Sequence, residues 1–172
     1  MYVSELSQYL SQTYTSSTLS QCSIDQTNYL VQNSAIPVIN FDEIKLTESK
    51  HQCFPKNVSL TSPDAIFIND NYEIKLIEFK NQLLENVSKP EIRVKLYESL
   101  ILLKNRFDFN EVEKITYILV HKGKKHLPRF HRIKEGKCPD DLSILKHEYN
   151  IAVEVYNAKY FDSNCYKILG TT

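Results

Sequence analysis

Two short apolar runs constrain this chain most: Ala65-Ile66-Phe67-Ile68 and Ile74-Lys75-Leu76-Ile77, with Asn69-Asp70-Asn71 between them. The runs read as strands and the Asn/Asp cluster as a turn, so the segment is a β-hairpin. Folding about that turn puts Asp64 opposite Glu78, or within two residues of it. Directly opposed residues of an antiparallel pair have Cβ atoms about 4.5–5.5 Å apart, and diagonal neighbours about 7–8 Å. Glu78 and Lys80 are two apart and so project from one face. A face running Ile74, Leu76, Glu78, Lys80 is a core face that turns polar at its end, as a site at a sheet's edge requires. The plainer reading makes Pro63-Asp64 a strand-opening turn and Glu78 and Lys80 the wet half of an edge strand. Two carboxylates brought this close repel unless a cation lies between them. Magnesium suits such a pair, because it takes one or two carboxylates plus phosphate oxygens.

Pro63-Asp64 followed by Glu78-Phe79-Lys80 resembles the signature of the PD-(D/E)xK nuclease superfamily. The resemblance rests on residues 63–80, and the pattern is a loose one. It implies an α/β fold with a restriction-endonuclease-like mixed sheet flanked by helices. It also implies a metal-dependent endonuclease, with Asp64 and Glu78 holding Mg²⁺ (or Mn²⁺) and Lys80 orienting the attacking water. The product would carry a 5′-phosphate. The substrate expected is DNA, the type restriction or phage, and the assembly a homodimer, because cutting both strands needs two sites. By the same analogy Glu5, the acid of the first expected helix, and His51, upstream of the motif, are further metal-ligand candidates. Arg93 and Lys95, in the helix after the motif, are candidates for contacting phosphate. Other readings stay open: a non-catalytic nucleic-acid-binding or assembly module with the same fold, an RNA endonuclease, or a Holliday-junction resolvase.

Charge is unevenly spread in a chain whose net charge is zero. Residues 1–40 contain no Lys or Arg, whereas 121–137 hold seven against one acid, Glu135. Lys122, Lys124, Lys125, Arg129, Arg132 and Lys134 in that stretch, with Phe130 among them, form a candidate nucleic-acid-tracking surface. His121, His126, His131 and Cys138 nearby do not have the spacing of usual zinc ligands. Scarce glycine excludes a phosphate-cradling Gly-rich loop of the Walker or Rossmann kind.

The 172 residues suit one domain, with an N-terminal helical segment over 1–35 and an α/β core over 36–172. No apolar run approaches the roughly 20 residues that span a bilayer, and no secretory leader is expected. Cys22, Cys53, Cys138 and Cys165 are widely spaced, which fits free thiols in a reducing cytoplasm. Val3, Leu6, Leu10 and Tyr14 predict a helix over 4–14 with Ser4 as its cap. Another helix is expected over 23–31, and a short strand over 36–41. Val58-Ser59-Leu60 either extends the hairpin or forms its own strand. Ser88 and Glu91 fit a capping box that opens a long helix with Leu96, Leu100, Leu103 and Phe107 as its stripe. Ile115–His121 reads as a buried strand, parallel to a hairpin strand across that helical crossover. A helix from Pro139 to about Glu148 and a closing strand over 151–156 complete the order.

Overall fold

The computed structural model describes residues 1–25, 28–32, 34–48, 60–123 and 135–171. It is a mixed α/β structure built on a six-stranded sheet with helices on both faces. The strands are β1 (Ser16–Thr18), β4 (Pro37–Asn40), β5 (Ala65–Ile68), β6 (Ile74–Lys80), β7 (Ile115–His121) and β8 (Ala152–Asn157), in that spatial order. The pairs from β1 to β6 are antiparallel, and β6–β7 and β7–β8 are parallel. A separate two-stranded hairpin joins β2 (Ile24–Asp25) to β3 (Asn28–Tyr29).

The expected hairpin forms. Asn69 closes it: its side-chain oxygen accepts from the Asn71 and Glu73 amides at 3.1 and 2.9 Å, so the turn's own side chain satisfies its backbone. Tyr72 takes a left-handed conformation there, with φ of 58°. The register pairs Ala65 with Ile77 and Ile68 with Ile74. Period-two alternation then sorts β6 between two cores. Ile74 and Leu76 pack under the long helix α4 (Lys89–Phe107), with Ile92, Leu96 and Leu103. Ile77 and Phe79 face the other way, toward α6 (Ala158–Leu169), with Phe161 and Leu169. The strand runs on to Lys80, three residues beyond its apolar run.

Helix α4 is the crossover that makes β7 parallel to β6, as the sequence order requires. Ser88 caps it, accepting from the Glu91 amide at 3.4 Å, and Pro90 sits in the first turn where donors lack partners anyway. Of the expected stripe, Leu96, Leu103 and Phe107 are buried and Leu100 is partly so.

The N-terminal third departs from expectation. Helix α1 covers Val3–Thr13, and Tyr2 rather than Ser4 precedes it. Residues 1–35 are not purely helical: after the short α2 (Leu19–Cys22), the expected helix over 23–31 is replaced by the β2–β3 hairpin. Ser23 accounts for the difference. Its hydroxyl donates to the Ser20 and Val31 carbonyls and accepts from the Val31 amide, so it ties both ends of a turn together instead of supporting a helix. Strand β1, polar and three residues long, joins the main sheet beside β4. Helix α3 (Phe41–Glu48) follows β4. The later helix is α5 (Ser143–Tyr149), entered through a 3-10 turn at Asp140–Leu142. Helix α6 was not expected at all. At the outer edge of β8, the Gly136 amide donates to the Val155 carbonyl at 2.9 Å, and the Asn157 amide donates to Glu135 at 2.9 Å. Among the described residues no helix is long and apolar enough to cross a membrane. Val58, Ser59, His51 and Cys53 lie outside the described residues.

Candidate active site

The β5–β6 register, carried one step past Ala65 and Ile77, sets Asp64 opposite Glu78. Both therefore belong to the α4 face of the sheet, with Lys80 one pleat further on. The Asp64 amide donates to the Ile77 carbonyl at 2.9 Å, and the Asp64 carboxylate accepts from the Phe79 amide at 2.6 Å. These two bonds lock the carboxylate against the strand that carries Glu78.

Glu78 is completely buried. Its Oε1 receives two ammonium groups, Lys95 at 2.8 Å from α4 and Lys80 at 3.0 Å from its own strand. Its Oε2 is buried with no hydrogen-bond partner among the described residues. The hydroxyl of Tyr117, on the same sheet face, is the other buried side-chain atom in that condition. Lys80 is also held by Glu91 at 2.5 Å. The result is a run of alternating charges, Glu91–Lys80–Glu78–Lys95, with Asp64 beside it.

Burial sets the protonation of the acids. It pushes Asp64 up, the Glu78 charge pushes it further, and the Phe79 amide and Lys95 only partly offset them, leaving Asp64 at about 7. Burial raises Glu78 as well, against the pull of Lys95 and then Lys80. The two carboxyls titrate as a coupled pair, both raised by burial, with the two ammonium groups on Oε1 working against that rise at Glu78. Burial lowers Lys80, but the Glu91 hydrogen bond and the Glu78 charge outweigh it and the net shift is upward. Lys80 is thus a fixed cation and a proton donor in hydrogen bonds, unsuited to act as a base at neutral pH.

These residues line a cavity of about 420 Å³. Asp64, Glu78, Lys80 and Lys95 form one wall, and Cys22, Ile24 and Leu30, around the β2–β3 hairpin, form another. Asn81 and Gln82 extend the lining beyond β6.

The other candidates distribute unevenly. Glu5 is exposed and accepts from the Tyr2 amide at 2.8 Å, capping its own helix away from this cavity. Arg93 is exposed and does not line the cavity, whereas Lys95, one half-turn on, does. The Lys122 amide donates to the Lys80 and Gln82 carbonyls at 3.0 Å, which places Lys122 at the end of the sheet that carries the site. Lys124, Lys125, Arg129, Arg132 and Lys134 lie outside the described residues. Sequence reasoning missed Glu91 as a partner of Lys80. Its capping position predicts a side chain reaching back to Ser88; the carboxylate reaches Lys80 instead. Asp42 was missed too: its charge adds to the upward push on Asp64, although it is tied to Lys45 and Ser62 at 2.6 Å each.

Among the described residues no three acid, histidine or cysteine side chains converge tightly enough to hold a metal ion between them. The pair Asp64 and Glu78, with a bare buried oxygen on Glu78, suits a cation that fills the rest of its shell with water and phosphate oxygens. No family model matches this chain, and comparison with curated proteins and with solved structures gives no match either.

Proposed function

We propose that this chain is a divalent-metal-dependent nuclease with a restriction-endonuclease-like fold that hydrolyses phosphodiester bonds in DNA. The observation that carries the reading is the pairing of Asp64 with Glu78 across the hairpin, beside a doubly anchored Lys80 at a cavity wall. Buried carboxylates whose charges oppose each other, in a cleft, are a common mark of a functional site.

Asp64 and Glu78 would hold the metal. Bound there, Mg²⁺ or Mn²⁺ supplies a water of lowered pKa and offsets charge on the phosphate. The chain's own groups do the rest. The Phe79 amide fixes the Asp64 carboxylate. Glu78 and Glu91 hold the Lys80 ammonium at 3.0 and 2.5 Å, so it can orient a water and stabilise negative charge on phosphate oxygens without losing its proton. Lys122, tied to this end of the sheet, is a described residue of the basic stretch that could meet a nucleic-acid backbone there. On this reading the protein acts in the cytoplasm as a homodimer, one site per strand.

Plasmid nicking tests it. Purified protein with Mg²⁺ or Mn²⁺ is expected to convert supercoiled plasmid to open-circular or linear DNA. Lys80→Ala should slow this at least about a hundredfold, the scale of losing one charge-stabilising donor. Intact plasmid and oligonucleotides at millimolar metal would sink the enzymatic reading. Retained DNA binding in that case would favour the non-catalytic module, and a parallel single-stranded RNA substrate separates an RNA endonuclease from both.

A further inference from the structure

The two lysines on Glu78 are not equivalent. Lys80 has a second carboxylate, Glu91, at 2.5 Å, so it stays anchored if Glu78 turns away. Among the described residues Lys95 donates to Glu78 Oε1 alone, at 2.8 Å. It reaches there from the second turn of α4, its side chain is 16% exposed, and it lines the same cavity as Asp64 and Glu78. Its charge also acts on Asp64, Asp42 and Glu91. Of the two ammonium groups on Glu78, Lys95 is therefore the one that a single carboxylate holds among the described residues, with three further acids within range of its charge.

We propose that Lys95 is a displaceable internal countercharge: it occupies Glu78 while no divalent cation is bound, yields Glu78 to the cation, and then binds a phosphate oxygen of the nucleic acid in the cavity. This rests on the nuclease reading above and deepens it. An ammonium and a metal dication compete for the same carboxylate, because each is favoured only while the other is absent. Once displaced, Lys95 has no second carboxylate within hydrogen-bond distance among the described residues, unlike Lys80. A phosphate oxygen at the cavity wall is the anion that replaces Glu78 for it. The exchange also keeps the buried Glu78 compensated at every stage, where a site of bare carboxylates would have to be held open against its own repulsion.

Mn²⁺ binding by calorimetry, on full-length protein without nucleic acid, tests the exchange apart from catalysis. Lys95→Gln is expected to tighten Mn²⁺ binding about tenfold, because the competing charge is gone. Lys95→Arg keeps the charge and is expected to bind Mn²⁺ within about twofold of the parent. With Ca²⁺ in place of Mg²⁺ to suppress cleavage, Lys95→Gln should bind a duplex oligonucleotide at least about fivefold more weakly. Circular dichroism and thermal unfolding establish that each variant is folded. If Lys95→Gln is unstable, the parent alone gives a second measurement with diamagnetic Mg²⁺: the ¹⁵Nζ resonance of Lys95 should shift on titration while that of Lys80, still held by Glu91, shifts less, and equal shifts overturn the exchange. Unchanged or weaker Mn²⁺ binding by folded Lys95→Gln overturns the exchange while leaving the nuclease reading intact. Unchanged duplex affinity overturns the phosphate step. A parent protein that binds no Mn²⁺ at millimolar concentration overturns both this proposal and the metal-dependent reading beneath it.

Discussion

Asp64 is where the site's charge balance becomes measurable. Its carboxyl titrates at about 7 in the folded chain, against an ordinary 3.8. Between those two pH values the folded state holds a proton that the unfolded state has released. The contribution of Asp64 to stability is therefore fully present below the unfolded value and is lost as pH rises through about 7. Without divalent cations, thermal unfolding of the parent should occur at lower temperature at pH 8 than at pH 5.5. Asp64→Asn should flatten that dependence and raise stability at pH 8 by about 2 kcal/mol, because it removes the cost of burying that charge and its repulsion from Glu78. A parent protein that gains stability between pH 5.5 and 8, with Asp64→Asn less stable at pH 8, would contradict the assignment. The same proton competes with a cation, so Mn²⁺ affinity should fall as pH drops below about 7. Glu78 and Lys80 could be read from sequence because period-two alternation places them on a face whose earlier members are apolar. Lys95 was legible only as a residue one turn into the next helix; its bond to Glu78 depends on how α4 lies across the sheet. Glu91 was read correctly as a capping position and wrongly as to where its carboxylate goes, since a local motif says nothing about a lysine eleven residues upstream.

Helix α4 connects more than strands. Its start is set by Ser88, and Ser88→Ala should cost about 1 kcal/mol in chemical denaturation. Near its end Arg106 pairs with Glu48, a carboxylate buried at the end of α3, and the Tyr14 hydroxyl donates to that same carboxylate at 2.5 Å. Elements from three parts of the chain meet on this acid. Arg106→Met removes a cation from this buried carboxylate; a loss of about 3 kcal/mol is expected, with Glu48→Gln in the same background restoring part of it. A denaturation midpoint unchanged in Arg106→Met would show that Glu48 is compensated elsewhere. At this scale the sequence was informative wherever an element was long or strictly periodic. The hairpin, α4 and β7 were readable for that reason. Helix α6 had usable signals: the Asn157 cap, the spacing of Ala158, Phe161, Cys165 and Leu169, and Gly170 in a left-handed conformation at its end. Strand β1 had none, since three polar residues carry no period. The 23–31 error came from the Ser23 hydroxyl, a local bond that competes with helix formation and leaves no mark in apolar spacing.

For the whole molecule, topology assigns different work to the two halves of the sheet. The antiparallel half brings Asp64 to Glu78 through a short loop, while α4, the crossover to the parallel half, carries Lys95 back onto Glu78. A six-stranded open sheet has two borders, and each is blunted here. One border is β1, only three residues long and paired to a strand that begins with Pro37. The other is β8, where the outward Val155 carbonyl and Asn157 amide are already taken by Gly136 and Glu135. Such borders resist strand-to-strand addition between molecules. A second copy of this chain would then meet the first through helices or loops, and the sheet would end at the molecule's own boundary. Glu135→Ala would uncover the Asn157 amide, and light scattering during mild heating should show earlier clumping than in the parent. The residue that reads as one acid interrupting a basic stretch is, for the folded chain, the cover on an edge amide.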